Sequence, residues 1–235
     1  MKSYLIPVVL CLLIFPGVTS LHAQQKDPFK GELYLGVGAG SLFSRMDFVP
    51  GVPQVFRQGI FGGVSAKYIS EQNLGLILEV NFAQRGWKED FGSSTDLSYT
   101  RTLNYIEIPF MTHVYFGKGI LFSVNAGPQI SLLVGDSQKM SEALSDDLEA
   151  RRADNPGMRI GMQYAGMYKL KPVDYGLTGG IGMMFGTGLG DFNLEGRYYF
   201  GLGDIFTSRR SDQAYFSRSA FRVMEVKLTY YIRIF

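Results

Sequence analysis

From residue 30 onward, apolar and polar residues alternate at period two, the mark of a strand with two unlike faces. The clearest run is 120–134. Ile120, Phe122, Val124, Ala126, Pro128, Ile130, Leu132 and Val134 share one face, and Leu121, Ser123, Asn125, Gly127, Gln129, Ser131 and Leu133 lie on the other. In 74–87, Leu74, Leu76, Leu78, Val80 and Phe82 oppose Gly75, Glu79, Asn81, Ala83 and Arg85, with Ile77 among them. In 191–202, Phe192, Leu194, Tyr198, Phe200 and Leu202 oppose Asp191, Asn193, Glu195 and Arg197. Five looser runs begin at Leu33, Ile60, Tyr105, Asp174 and Met224, which brings the total to eight. The connections 44–58, 88–99, 136–173 and 203–221 are long, and 70–73, 117–119 and 186–190 are short. This order predicts an all-β fold: an eight-stranded antiparallel up-and-down transmembrane β-barrel with four long exterior loops.

The strand length argues for a membrane. Bilayer-spanning strands need about 9–11 tilted residues, whereas ordinary strands average ~5–6. Lipid offers backbone groups no partner, so strands cross it only as a closed barrel. An even strand number returns both termini to one side, with short turns at the periplasm and long loops outside. A soluble secreted barrel of lipocalin type shares the period but turns its apolar face inward. Two features favour the membrane form. Eight faces of Leu, Ile, Phe and Tyr overfill a narrow barrel, and the polar faces are Gly-rich with isolated charges instead of a solvated Lys/Glu surface. After residue 23 no stretch has eighteen consecutive apolar residues, so no helical span is expected.

The first residues read as an address. Lys2 precedes a nearly continuous apolar run from Tyr4 to Phe15, then Pro16-Gly17 and small residues. This is the layout of a secretory signal peptide, with cleavage after Ala23 or Ser20. The expected organisation is a signal peptide at 1–23, a short lead at 24–29 and an outer membrane β-barrel domain at 30–235. Cleavage removes Cys11 and His22, leaving His113 as the one histidine and no cysteine. A Cys/His metal site is thereby excluded, as is a disulfide framework. No cofactor is expected.

Composition sharpens this picture. Gly accounts for 29 of 235 residues, beside 18 Phe, 14 Tyr and 1 Trp. So much Gly, at about 1 kcal/mol per helical site, argues against a helical bundle. A formal net charge of +2 gives no reason to expect nucleic acid. Gly36, Gly38, Gly40, Gly176, Gly180 and Gly182 fall on the non-lipid face, making room for large residues opposite. Tyr68, Phe82, Trp87, Phe116, Phe122, Tyr175, Phe185, Phe200 and Tyr230 fall near strand ends, where aromatic girdles sit.

The segment Asn104-Tyr105-Ile106-Glu107-Ile108-Pro109-Phe110 resembles the N-Y-L-E-I-P-L signature of the PorT-like outer membrane β-barrel family of Bacteroidetes. Val124-Asn125-Ala126-Gly127-Pro128 is similar to the strand that follows in that family, and the run from Asp174 to Gly182 is similar to its Gly-rich strand. The resemblance covers roughly 30–235. It implies an eight-stranded barrel in the cell outer membrane and no particular activity. One departure is at the end: Phe235 is terminal, but Arg233, Thr229 and Lys227 share its face.

Ten charges fall on the inner face: Lys67, Glu79, Arg85, Glu107, Asp191, Glu195, Arg197, Glu225, Lys227 and Arg233. Balanced five to five, they are expected to form an interior polar network, since buried charges must pair. An ion path or acid–base site is the alternative. His113 is the one candidate base for a lipid-modifying enzyme, but no Ser stands beside it. Within 136–173, Met140, Leu144 and Leu148 recur every four residues, and Asp147 and Arg151 form an i, i+4 pair. A short amphipathic helix is expected there, as a cap on the mouth or a docking element. Arg209, Arg210 and Arg218 are loop cations that meet solvent or lipid phosphates. The expected partners are outer membrane lipid and a protein at the exterior loops. The expected role is structural or interactive and non-enzymatic, with a narrow pore or a lipid-modifying enzyme as alternatives.

Overall fold

A computed structural model describes residues 29–92, 95–154, 164, 170–206 and 216–235. The strands are β1 (Glu32–Val49), β2 (Gln54–Val55), β3 (Arg57–Glu71), β4 (Leu74–Glu89), β5 (Tyr99–Lys118), β6 (Ile120–Met140), β7 (Val173–Thr187), β8 (Gly190–Gly201) and β9 (Arg218–Arg233), with one helix, α1 (Glu142–Asp154), between β6 and β7. β2 is a two-residue ladder on the end of β4, Gln54 opposite Glu89. The other eight strands pair with their chain neighbours, and β1 pairs with β9, so the sheet closes into an antiparallel ring. Closure removes every long edge.

Outward residues form an apolar band. Leu35 and Val37 on β1, Val64 on β3, Leu76, Leu78 and Val80 on β4, Phe110 on β5, Val124 and Ile130 on β6, Leu177 and Ile181 on β7, and Val226 and Leu228 on β9 are all well exposed. Lys67, Glu79, Asn81, Glu107, Asn125, Glu195, Arg197 and Lys227 face inward and are buried. The apolar-out, polar-in choice over the soluble-barrel alternative is thus settled by side-chain direction. The glycines make room as expected. Gly36 stands opposite Tyr231, Gly40 opposite Lys227, and Gly180 opposite Arg197. A Cβ on Gly180 would lie 2.8 Å from the Arg197 side chain.

The strands run further than the sequence indicates, and the long connections shrink. β1 continues to Val49, β6 continues to Met140, and β9 begins at Arg218. The physical reason is a reversal of the pattern. Beyond the band, at the long-loop end, the outward residues are Arg45, Asp47, Lys88, Thr100 and Lys139. The inward residues there are Leu42, Met46, Phe48, Trp87, Tyr99 and Leu103, all 5% exposed or less. Above the lipid the barrel is polar-out and apolar-in, like a soluble one. A strand whose contrast inverts midway looks, in sequence, like a strand followed by a loop. Trp87, expected in the lipid girdle, is therefore inside and fully buried.

Candidate functional site

The lumen has two layers. The lower, in the middle of the barrel, is ionic. Arg197 donates from both terminal nitrogens to Glu79, at 2.7 Å each. It also reaches Glu195 at 2.8 Å. Lys227 donates to Glu79 at 2.8 Å and to Asn81 at 3.2 Å. Asn125 donates to Glu195 at 2.6 Å, and His113 Nδ1 lies 2.7 Å from Asn125 Oδ1. These side chains come from β4, β5, β6, β8 and β9, so the network ties opposite walls together. Alternation aims each of them inward, and the sparse volume of a narrow barrel brings them into contact.

Arg85 makes a second centre. Its Nε pairs with Glu107 at 2.5 Å and its Nη1 with Asp174 at 3.2 Å. The guanidinium carbon lies 4.2 Å over the Tyr199 ring, and the Tyr199 hydroxyl donates to Asp174 at 2.9 Å. Glu225 is buried with Arg85, Arg197 and Lys227 as charged neighbours. Lys67 differs in kind: its ammonium sits 4.5 Å over Tyr34 and 4.2 Å over Tyr231, a cation held between two π-faces.

Two charges leave the expected set. Arg233 is exposed at the short-turn rim and pairs with Glu32 at 2.9 Å. Asp191, the second residue of β8, is only half-buried at the same rim. Both occupy inward register positions, but the lumen opens to water where they stand. Asp174 takes their place inside. The alternation already sets Asp174 on the inward face with Gly176 and Thr178, although the expected set of charges omits it. In the middle of the barrel the balanced set of five and five becomes four cations and five carboxylates, Lys67, Arg85, Arg197 and Lys227 against Glu79, Glu107, Asp174, Glu195 and Glu225, while Arg101 and Glu89 are buried nearer the long-loop end.

The upper layer is aromatic. Phe48 stacks on Phe216 with centroids 4.6 Å apart and meets Trp87 edge-on at 5.4 Å. Tyr99 packs against Tyr164 at 4.4 Å. Phe206 joins from the last long connection. α1 lays Leu144 and Leu148 onto this cluster, and both are buried. The backbone N–H groups of Leu144 and Ser145 donate to the Ser141 carbonyl as the helix begins. On the solvent side Arg151 pairs with Asp147 at 2.8 Å. The expected helix is present and caps the mouth, although Met140 belongs to β6 and not to the helix. Arg218 lies in β9, and Arg209 and Arg210 lie outside the described residues, as do 1–28.

Chemically, the arrangement holds itself together. Glu79, Glu107, Asp174 and Glu195 each pair with an arginine, and His113 is 3% exposed and stacked on the ring of Tyr115. Among the described residues no group of three or more His, Cys, Asp or Glu could hold a metal ion.

Residues 22–207 match the family model described as outer membrane protein beta-barrel domain. β9 lies beyond that match, yet closes the ring. No curated protein matches the chain. Among solved structures, Neisserial surface protein A is similar at 12% identity and TM-score 0.46, over 88% of this chain and 100% of that one. The outer membrane protein OprG from Pseudomonas aeruginosa is similar at 10% identity and TM-score 0.46, over 86% and 96%. Ail, the attachment invasion locus protein of Yersinia pestis, is similar at 10% identity and TM-score 0.40, over 87% and 100%.

Proposed function

The chain belongs to the outer membrane protein beta-barrel domain family, and on that premise we propose that it is a sealed, non-enzymatic barrel whose capped long-loop end is a recognition surface facing the exterior. The observation that carries this reading is the filled lumen. An ionic layer spans the middle, and the aromatic cluster under α1 plugs the long-loop mouth. A conducting barrel needs a continuous wet path, and an enzyme on lipid needs its base at the lipid boundary. His113 is instead in the lumen, bonded to Asn125. With the lumen filled, the residues left to meet a partner are those of the long connections and the outer face of α1.

The same reading places residues 1–23 as a cleaved signal peptide, and the Asn104 to Phe110 motif supports a PorT-like member from Bacteroidetes. Planar-bilayer recording tests the seal: the proposal expects no stepwise conductance. Captures from envelope extract with the full chain and with a chain lacking 141–172 test the recognition role. The proposal expects a partner lost on deletion, and an identical set of bound proteins contradicts it.

A further inference from the structure

On the outer wall, just past the apolar band at the long-loop end, β1 and β9 set two arginines against each other. Arg45 and Arg222 are direct cross-strand partners. Like charges placed so destabilise a sheet. A third arginine is close: Arg218 Nε lies 3.0 Å from Asp47 Oδ2, and Arg222 Nη2 lies 2.9 Å from the same oxygen. One carboxylate therefore serves two guanidiniums, and Arg45 has no carboxylate within 4.0 Å among the described residues. Three arginines less one aspartate leave an excess of two positive charges.

The cluster is also preorganised. Arg222 is 8% exposed, lies 3.7 Å over the Phe200 ring, and donates to the carbonyls of Gly201 and Phe221 at 2.9 and 2.8 Å. Arg45 leans over Phe56 at 5.1 Å. Between them is a recess of about 280 Å³, lined by Arg45, Asp47, Gln54, Tyr198 and Arg222 beside the apolar Met46 and Val52. Directly below, Phe43 and Met224 begin the lipid-facing surface.

We propose that the recess between Arg45 and Arg222 binds a phosphate group of an outer-leaflet glycolipid. Three features select that ligand. The surplus charge calls for an anion. Planar guanidiniums suit the paired oxygens of a phosphate. The height of the site, where the apolar band gives way to polar wall, is the level of membrane headgroups, so the acyl chains fall along the band beneath. The site rests on the proposed placement of the long-loop end in the outer leaflet. Nanodiscs carrying the lipid in both leaflets remove that dependence.

The test uses the folded barrel in phosphatidylcholine nanodiscs containing bis-phosphorylated lipid A or its dephosphorylated form, with retained lipid counted by native mass spectrometry. Arg45→Gln should retain at least five-fold less phosphorylated lipid, Arg45→Lys should retain most of it, and neither should alter the dephosphorylated form. Band position on unheated electrophoresis confirms folding of each variant. Equal retention by the native chain and Arg45→Gln overturns the site. Displacement of the lipid by millimolar inorganic phosphate reassigns the recess to free phosphate and overturns the glycolipid. If the orientation proposed for the cell fails, retention in two-sided discs still reports on the recess.

Discussion

Arg197 on β8 grips Glu79 on β4 across the lumen through two hydrogen bonds of 2.7 Å. The two strands are not neighbours in the ring, and the residues are 118 apart in sequence. The pair therefore fixes the barrel's cross-section as well as its charge. Glu79 also takes the Lys227 ammonium and an Asn81 amide proton. Removing one partner of a buried pair costs about 3–5 kcal/mol, because the other charge stays buried. Glu79→Ala should lower folding stability in vesicles by roughly that amount by urea titration, and more than Glu32→Ala at the exposed rim pair.

The cap has a built-in reporter, since Trp87 is the chain's single tryptophan and is fully buried in the aromatic cluster. Its emission should be blue-shifted and resistant to iodide. Leu144→Arg or Leu148→Arg in α1 should loosen the cluster, move emission to the red and admit the quencher. Unchanged emission in both would detach the helix from the mouth.

Gly86 is a further strict position. Its φ of +151° is one that side chains rarely adopt, and a Cβ there would collide with the Arg101 carbonyl. Its N–H and C=O are both bound to the Ser44 hydroxyl, at 3.1 and 2.9 Å. Gly86→Ala should reduce the folded fraction on unheated electrophoresis, whereas Gly196→Ala, with open space around it, should not.

The sequence carries the barrel where the environment has two clear sides. Within the lipid band the Leu74, Leu76, Leu78 face and the Glu79, Asn81 face differ sharply, and both are where the period places them. It fails where the environment changes along one strand. Met46 and Phe48 continue β1 as inward apolar residues after Gly36 and Gly38 have set an inward small-residue face, so the strand seems to stop. The lumen network was legible as a set of inward charges but not as pairs. Contacts such as Arg85 with Asp174 join strands far apart in the ring, and register along each strand alone cannot align them. Arg233 and Asp191 show the opposite error, since correct parity does not ensure burial at a rim open to water.

The most direct measurement is the folding free energy of Leu78→Arg in lipid vesicles. Leu78 is 46% exposed at the centre of the outward row of β4, and its neighbour Ile77 is 1% exposed in the lumen. An outward position at mid-bilayer should lose about 2–4 kcal/mol on gaining an arginine. A stability within 0.5 kcal/mol of the native chain, a shift no larger than ordinary surface changes produce (roughly that value), would contradict a lipid-facing outer wall.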